Sequence, residues 1–272
     1  MDAQAEYDNR ARVPEHPGII AGWAHDAAAF RADWKEAELG LAYGPGERER
    51  LDLFRPGPGD GWPLALFIHG GYWQALDRSF FSHVARGLLA HGVAVAIPSY
   101  DLCPAVTVAR IVEQMRAAAA FLHRRWRRRI LATGHSAGGH LTAMLMATDW
   151  RTVDPGLPAD LVPAGLPVSG VFELEPLLQT TIATPLRLDA AEARRLSPRY
   201  LPPPAGASLH AVVGGGESSE FIRQTRDFAA AWGGSWEAVP EANHFTVLEP
   251  LTDPGSPLVA RAAAMARRLA AG

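Results

Sequence analysis

The chain has 272 residues, 48% apolar and 20% charged, with a formal net charge of −3. That length buries a large core, and α/β proteins of this size often form one unit, so a single domain over 1–272 is expected. The small negative charge offers no sequence-wide attraction for nucleic acid or an anionic membrane. Cys103 is the only cysteine, which excludes an intrachain disulfide and argues against a thiolate metal site.

The start, Met1-Asp2-Ala3-Gln4-Ala5-Glu6, lacks the basic and apolar regions of a signal peptide. No apolar run approaches the length of a membrane span. A soluble, cytoplasmic protein is the expectation. Residues 1–35 are polar with spaced aromatics and two proline breaks, Pro14 and Pro17. They read as short helices packed over the main body. Alternating residues Leu39, Leu41 and Tyr43, then Leu51 and Leu53, flank Gly44-Pro45-Gly46 and predict a hairpin.

The rhythm then changes. Leu64–Ile68 is a short, fully apolar run, as expected of a strand covered on both faces. Ser79–Ala90 has helical spacing, Val93–Ile97 predicts a second buried strand, and Val106–Trp126 a long helix. The arginines at its end, Arg124 to Arg129, read as a solvated helix terminus where cations suit the dipole. Ile130–Thr133 predicts a strand, as do Leu166–Phe172, Leu209–Val213 and Ser235–Val239. Ser219–Trp232 and Leu258–Leu269 predict helices. Residues 173–204 break the alternation with several prolines and read as a small insertion above the sheet. Alternating strands and helices over most of the chain imply an α/β fold: a mainly parallel sheet, an antiparallel hairpin at its start, and helices on both faces. Ligands in such folds bind at the carboxyl ends of the strands.

Gly134-His135-Ser136-Ala137-Gly138 lies between a predicted strand and the helical run from Leu141. G-x-S-x-G in that setting is the nucleophile-elbow pattern, which presents the serine hydroxyl to solvent at a sharp turn. A serine hydroxyl needs a base, and in this kind of sheet the base follows the acid late in the chain. His244 is the only histidine beyond position 210 and follows the last predicted strand; His135 and His140 come too early. Glu217, after Gly214-Gly215-Gly216, stands where the orienting carboxylate belongs, with Glu220 as second choice. His69-Gly70-Gly71-Tyr72-Trp73 closes the first buried strand. The N–H groups of Gly70 and Gly71, with that of Ala137, suit an oxyanion hole. Tyr72 and Trp73 are candidates for a pocket wall. The histidines show no ligand pair at i, i+4 spacing, so neither metal nor cofactor is expected.

These motifs carry a resemblance. Glu6-Tyr7-Asp8-Asn9-Arg10, Val13-Pro14-Glu15-His16-Pro17, His69-Gly70-Gly71-Tyr72-Trp73, Leu76-Asp77-Arg78-Ser79, the elbow through Leu141, Ser218 to Gln224 and Asn243-His244-Phe245 resemble the bacterial arylformamidase (kynurenine formamidase) group and its esterase relatives. The resemblance implies the α/β-hydrolase fold and an amino-terminal segment at the pocket entrance. It also implies that the catalytic acid, usually aspartate, falls on Glu217. The expected activity is a serine hydrolase cleaving a formyl or short acyl group from an aryl amine or aryl ester. A carboxylesterase for short-chain or aryl esters is the alternative within enzymes, and a non-catalytic binding protein is the alternative outside them. The expected partner is a small-molecule substrate, with a homodimer left open.

Overall fold

The structure, a computed structural model, describes residues 2–270. Met1 and residues 271–272, the ends of the expected single unit, lie outside the described residues.

Eight strands form one sheet in the order β1-β2-β4-β3-β5-β6-β7-β8. They are β1 (Ala37–Ala42), β2 (Arg50–Phe54), β3 (Leu64–Ile68), β4 (Ala94–Pro98), β5 (Ile130–His135), β6 (Ala164–Val168), β7 (Ser208–Gly214) and β8 (Ser235–Val239). β1 pairs antiparallel with β2, and β2 with β4. From β4 onward every pairing is parallel. β3, β4 and β5 are buried along their whole length, which accounts for the unbroken apolar sequence of β3 and β4 and for the apolar start of β5. The hairpin and the parallel sheet therefore match the sequence expectation.

The helices are α1 (Ala3–Tyr7), α2 (Asn9–Arg12), α3 (His16–Asp33), α4 (Ala85–Ala90), α5 (Val108–Trp126), α6 (Ala137–Met146), α7 (Trp150–Val153), α8 (Ala183–Leu186), α9 (Ala190–Arg195), α10 (Ser219–Ala231), α11 (Glu249–Thr252) and α12 (Pro257–Ala270). Two apolar clusters flank the sheet. One gathers α5, α6 and α10 residues such as Ile111, Leu141 and Phe228, and the other gathers α3, α4 and α12 residues such as Trp23, Leu88 and Ala263. Among the described residues no helix is long and apolar enough to cross a membrane. At the end of α5, Arg124, Arg125 and Arg129 face Asp154, Glu38 and Asp160.

Three expectations need correction. Residues 16–33 form one 18-residue helix instead of short pieces, because Pro17 sits in the first turn, where its missing N–H removes no helical bond. Residues 78–84 are two 3₁₀ turns, and only Ala85–Ala90 is α-helical. β6 ends at Val168, four residues before the predicted end. Ser169 takes φ +49 and turns the chain, while Val171 and Phe172 are buried off the sheet. Apolar runs alone do not separate those two fates.

Candidate active site

The turn from β5 into α6 is made at Ser136, with φ +56 and ψ −116. A residue rarely holds such a conformation unless its surroundings force it. The flanking glycines permit it. A Cβ on Gly138 would lie 1.9 Å from the Ile68 carbonyl oxygen, and one on Gly134 would lie 2.5 Å from the Gly138 carbonyl oxygen. Only bare backbone fits at either place. The Ser136 N–H donates to the Val168 carbonyl at 2.8 Å, pinning the turn to β6. The hydroxyl then stands at the amino end of α6, where the helix dipole favours negative charge.

Ser136 is only 2% exposed, so its hydroxyl meets a cavity and not bulk solvent, contrary to the simple elbow picture. The amino-terminal helices cover it. Its Oγ lies 3.0 Å from His244 Nε2, and His244 Nδ1 lies 2.6 Å from Glu217 Oε2. With Nδ1–H donating to the carboxylate, Nε2 is left as the acceptor for the serine proton. Glu217 Oε1 in turn accepts from the Gly214 N–H at 2.7 Å and from the Ser169 hydroxyl. The Glu217 side chain is fully buried and that of His244 nearly so. The structure thus brings Ser136, His244 and Glu217 into one chain of hydrogen bonds. Glu220 is elsewhere, bonded to Tyr7, Arg223 and Gln224.

The loop after β3 faces Ser136 from the other side. A Cβ on Gly70 would approach Ser136 Cβ to 3.1 Å, and Gly71 takes φ +108 with Ala75 O only 2.4 Å from where its Cβ would stand. Among the described residues, the N–H groups of Gly70, Gly71 and Ala137 have no acceptor. His69 braces this loop. Its Nδ1–H donates to the Gly70 carbonyl at 2.7 Å, and its ring stacks on Tyr100 at 4.1 Å. Burial pushes the His69 pKa down to about 4, keeping the ring neutral.

A cavity of about 330 Å³ opens from Ser136, within the range of small-molecule sites. Its floor holds Ser136, His244, His135 and Gly71, and its walls include Ile20, Trp23, Tyr72, Leu76, Ile182 and Phe245. Of the two aromatics after the glycine pair, Tyr72 lines this cavity. Trp73 does not: it is fully buried and packs edge-on against His140 at 5.0 Å. Both aromatics take positive φ, +50 at Tyr72 and +57 at Trp73. His135 also lines the floor, and its Nε2–H donates to the His244 carbonyl at 2.7 Å. Burial first, and then the neighbouring His244, hold the His135 pKa well below the ordinary histidine value.

Two motifs with no assigned chemistry turn out to be one structure. The Tyr7 hydroxyl donates to Glu220 at 2.9 Å, and the Gln224 amide donates to the Tyr7 oxygen at 2.5 Å. Glu6 accepts from the Ser219 hydroxyl and the Glu220 N–H, both at 2.9 Å, so it caps α10 from across the chain. Tyr72 donates to the Tyr7 carbonyl at 2.7 Å. Together these bonds strap α1 and α2 over the cavity. Burial opposes charge on Glu220, yet bonds from Arg223, Tyr7 and Gln224 hold its pKa below the usual range. The signal for the strap was present in the sequence only as two distant motifs.

Kynurenine formamidase from Salmo salar is 32% identical over 231 residues, covering 79% of this chain and 77% of its own length. The chain belongs to the kynurenine formamidase family. It is an arylformamidase-like hydrolase with the α/β-hydrolase fold. The BD-FAE family model matches residues 51–156, a stretch that runs from β2 through the Gly70-Gly71 loop and the turn at Ser136 to α7. A crystal structure of a candidate thioesterase from Silicibacter superposes with a TM-score of 0.89 at 37% identity, covering 96% of this chain and 98% of its own. Esterase B from Lactobacillus rhamnosis superposes at 0.68 with 19% identity, covering 97% and 95% of the two chains, a likeness of fold. The chain thus combines sequence likeness to kynurenine formamidases with the fold of esterases.

Proposed function

We propose that the protein hydrolyses N-formyl aryl amines, N-formylkynurenine being the best single candidate, with Ser136 as nucleophile, His244 as base and Glu217 as the orienting acid. One observation carries this reading. The Ser136–His244–Glu217 hydrogen-bond chain, with links of 3.0 and 2.6 Å, ends at the floor of a cavity sized for a small molecule. The name of the salmon relative supports the formamide as substrate class.

In the first step Ser136 Oγ attacks the formyl carbon and its proton passes to His244 Nε2. The carbonyl electron pair moves to oxygen, where the free N–H groups of Gly70, Gly71 and Ala137 receive the charge. Collapse breaks the C–N bond, and His244 returns the proton to the leaving aryl amine. Water then attacks the formyl-serine with His244 again as base, releasing formate and restoring the hydroxyl. Glu217 holds His244 in the required tautomer throughout and stays ionised.

The esterase reading rests on the likeness to esterase and candidate thioesterase structures. A side-by-side measurement of kcat/KM on N-formylkynurenine, aryl acetates and aryl butyrates separates the two. The formamidase reading expects a clear preference for the formamide and poor turnover of butyrate. Equal proficiency on butyrate would move the assignment to a carboxylesterase.

A further inference from the structure

The rim of the cavity carries an unexplained pair of charges. Apart from the histidines, Asp8 and Arg10 are the only titrating side chains of opposite sign among its described lining residues. The other polar rim groups have partners. Gln4 accepts from Thr181, and the Gln74 amide donates to the Ile182 carbonyl at 3.2 Å. Arg12, on the same short helix as Arg10, is bonded to Glu6 and to the Ala5 carbonyl. Arg10 has no hydrogen-bond or ion-pair partner among the described residues, and Asp8 spends one oxygen on the Ala11 N–H at 3.0 Å. The two do not pair with each other. Between them stands Asn9, which is 4% exposed, lines the cavity, and has only a long bond of 3.4 Å from its amide to Tyr72 Oη.

Opposite charges two residues apart, unpaired and facing one cavity, fit a ligand carrying both signs on neighbouring atoms. We propose that Asp8, Asn9 and Arg10 form a subsite for a zwitterionic α-amino-acid head group. Arg10 receives the α-carboxylate, Asp8 the α-ammonium, and the Asn9 amide oxygen a second ammonium proton. This rests on the formamidase reading above and sharpens it, since it names the part of the substrate that lies away from the scissile bond. The strap supports the role. Bonds from Gln4, Glu6 and Tyr7 anchor the segment that leads into the subsite, so its backbone is positioned before substrate arrives. The aromatic wall between rim and floor, with Trp23, Tyr72 and Phe245, accommodates an aryl group joining the two ends.

The test uses matched substrates and the whole protein. N-formylkynurenine is compared with its α-carboxamide and its deaminated analogue, on the parent and on Arg10→Gln, Arg10→Lys and Asp8→Asn. The parent is expected to prefer the carboxylate over the carboxamide by about tenfold in kcat/KM, carried by KM, as suits a charge-assisted contact at a partly solvated rim. Arg10→Gln should bring that ratio close to one, and Arg10→Lys should recover part of it. Asp8→Asn keeps the Ala11 cap and should erase the preference for the amino-bearing substrate alone. A parent ratio near one, or a ratio that survives Arg10→Gln, overturns the subsite. If no formamide is cleaved, aryl acetates bearing the same head groups give the same ratios, so failure of the formamidase reading is told apart from failure of the subsite. Melting temperatures of the variants show whether each has folded.

Discussion

The phenol of Tyr7 donates a hydrogen bond of 2.9 Å to Glu220, 213 residues further along the chain. That contact joins the amino-terminal strap to α10, the helix that follows the loop holding Glu217. Both partners are buried, Tyr7 at 1% and Glu220 at 2% exposure. Desolvation drives the Tyr7 pKa far above its ordinary value, so it stays a donor at any working pH.

Tyr7→Phe removes this donor and leaves Glu220 with Arg223 and Gln224. A lost bond to a charged group is worth about 1.5–3 kcal/mol, and the remaining partners place the effect near the lower figure. Urea unfolding should show that loss, and hydrogen exchange should show faster opening of residues 3–12. The rate should fall several-fold, because the strap closes the cavity. Unchanged exchange in that segment would mean the strap is held by other contacts.

Ser136→Ala should remove turnover while the protein stays folded. Alanine meets the same backbone strain at φ +56 that serine does, and Gly134 and Gly138, which permit the turn, are untouched. Residual activity should lie below roughly one part in ten thousand, as for loss of a serine nucleophile elsewhere. A fluorophosphonate probe should label the parent and not the variant. Labelling of the variant would place the nucleophile on another residue.

Much of this site was readable from spacing. The elbow, the glycine pair after the first buried strand and the late histidine lie at strand ends, and period and glycine content locate strand ends well. Trp73 was misplaced because nothing in His-Gly-Gly-Tyr-Trp records that Tyr72 lines the cavity while Trp73 packs on His140 in the core. The amino-terminal segment was expected at the pocket entrance, but the bonds that strap it there were not legible, for a different reason. Its bonds to α10 join residues more than two hundred positions apart, and no local pattern encodes which distant helix a short amino-terminal segment will cap. The end of β6 was misread because the turn is made by Ser169, whose hydroxyl is held by Glu217, a contact fixed only in three dimensions.

Stability should fall as the solution is acidified from pH 7 towards 4. Burial lowers the pKa of His69, His83 and His140 to about 4, and that of His135 further. In the unfolded chain these rings bind protons near pH 6.5. Below that pH the unfolded state therefore holds more protons than the native one, and stability declines with falling pH. The native form keeps its full advantage above the unfolded value. Each ring contributes up to about 1.4 kcal/mol per pH unit between the two values. Urea midpoints at pH 7, 6 and 5 give the slope. A flat profile across that window would show that these rings are not neutral in the native state.

Glu217→Gln is expected to cut kcat by roughly a thousandfold or more with little change in fold. The reason lies behind the carboxylate. Gly214 N–H and the Ser169 hydroxyl both donate to Oε1, so in the variant the amide oxygen is retained on that side. The amide NH₂ is then turned toward His244 Nδ1, which sits 2.6 Å from the other oxygen in the parent. Two donors cannot face each other, so the ring shifts its proton to Nε2 and loses the lone pair that should take the Ser136 proton. Ser169→Ala should relieve this in part, because the amide then has less reason to keep its oxygen inward. Glu220→Gln leaves His244 untouched and should lower stability while holding kcat within a few-fold. Rates for Glu217→Gln within tenfold of the parent, or a larger loss for Glu220→Gln, would remove Glu217 from the role of orienting acid.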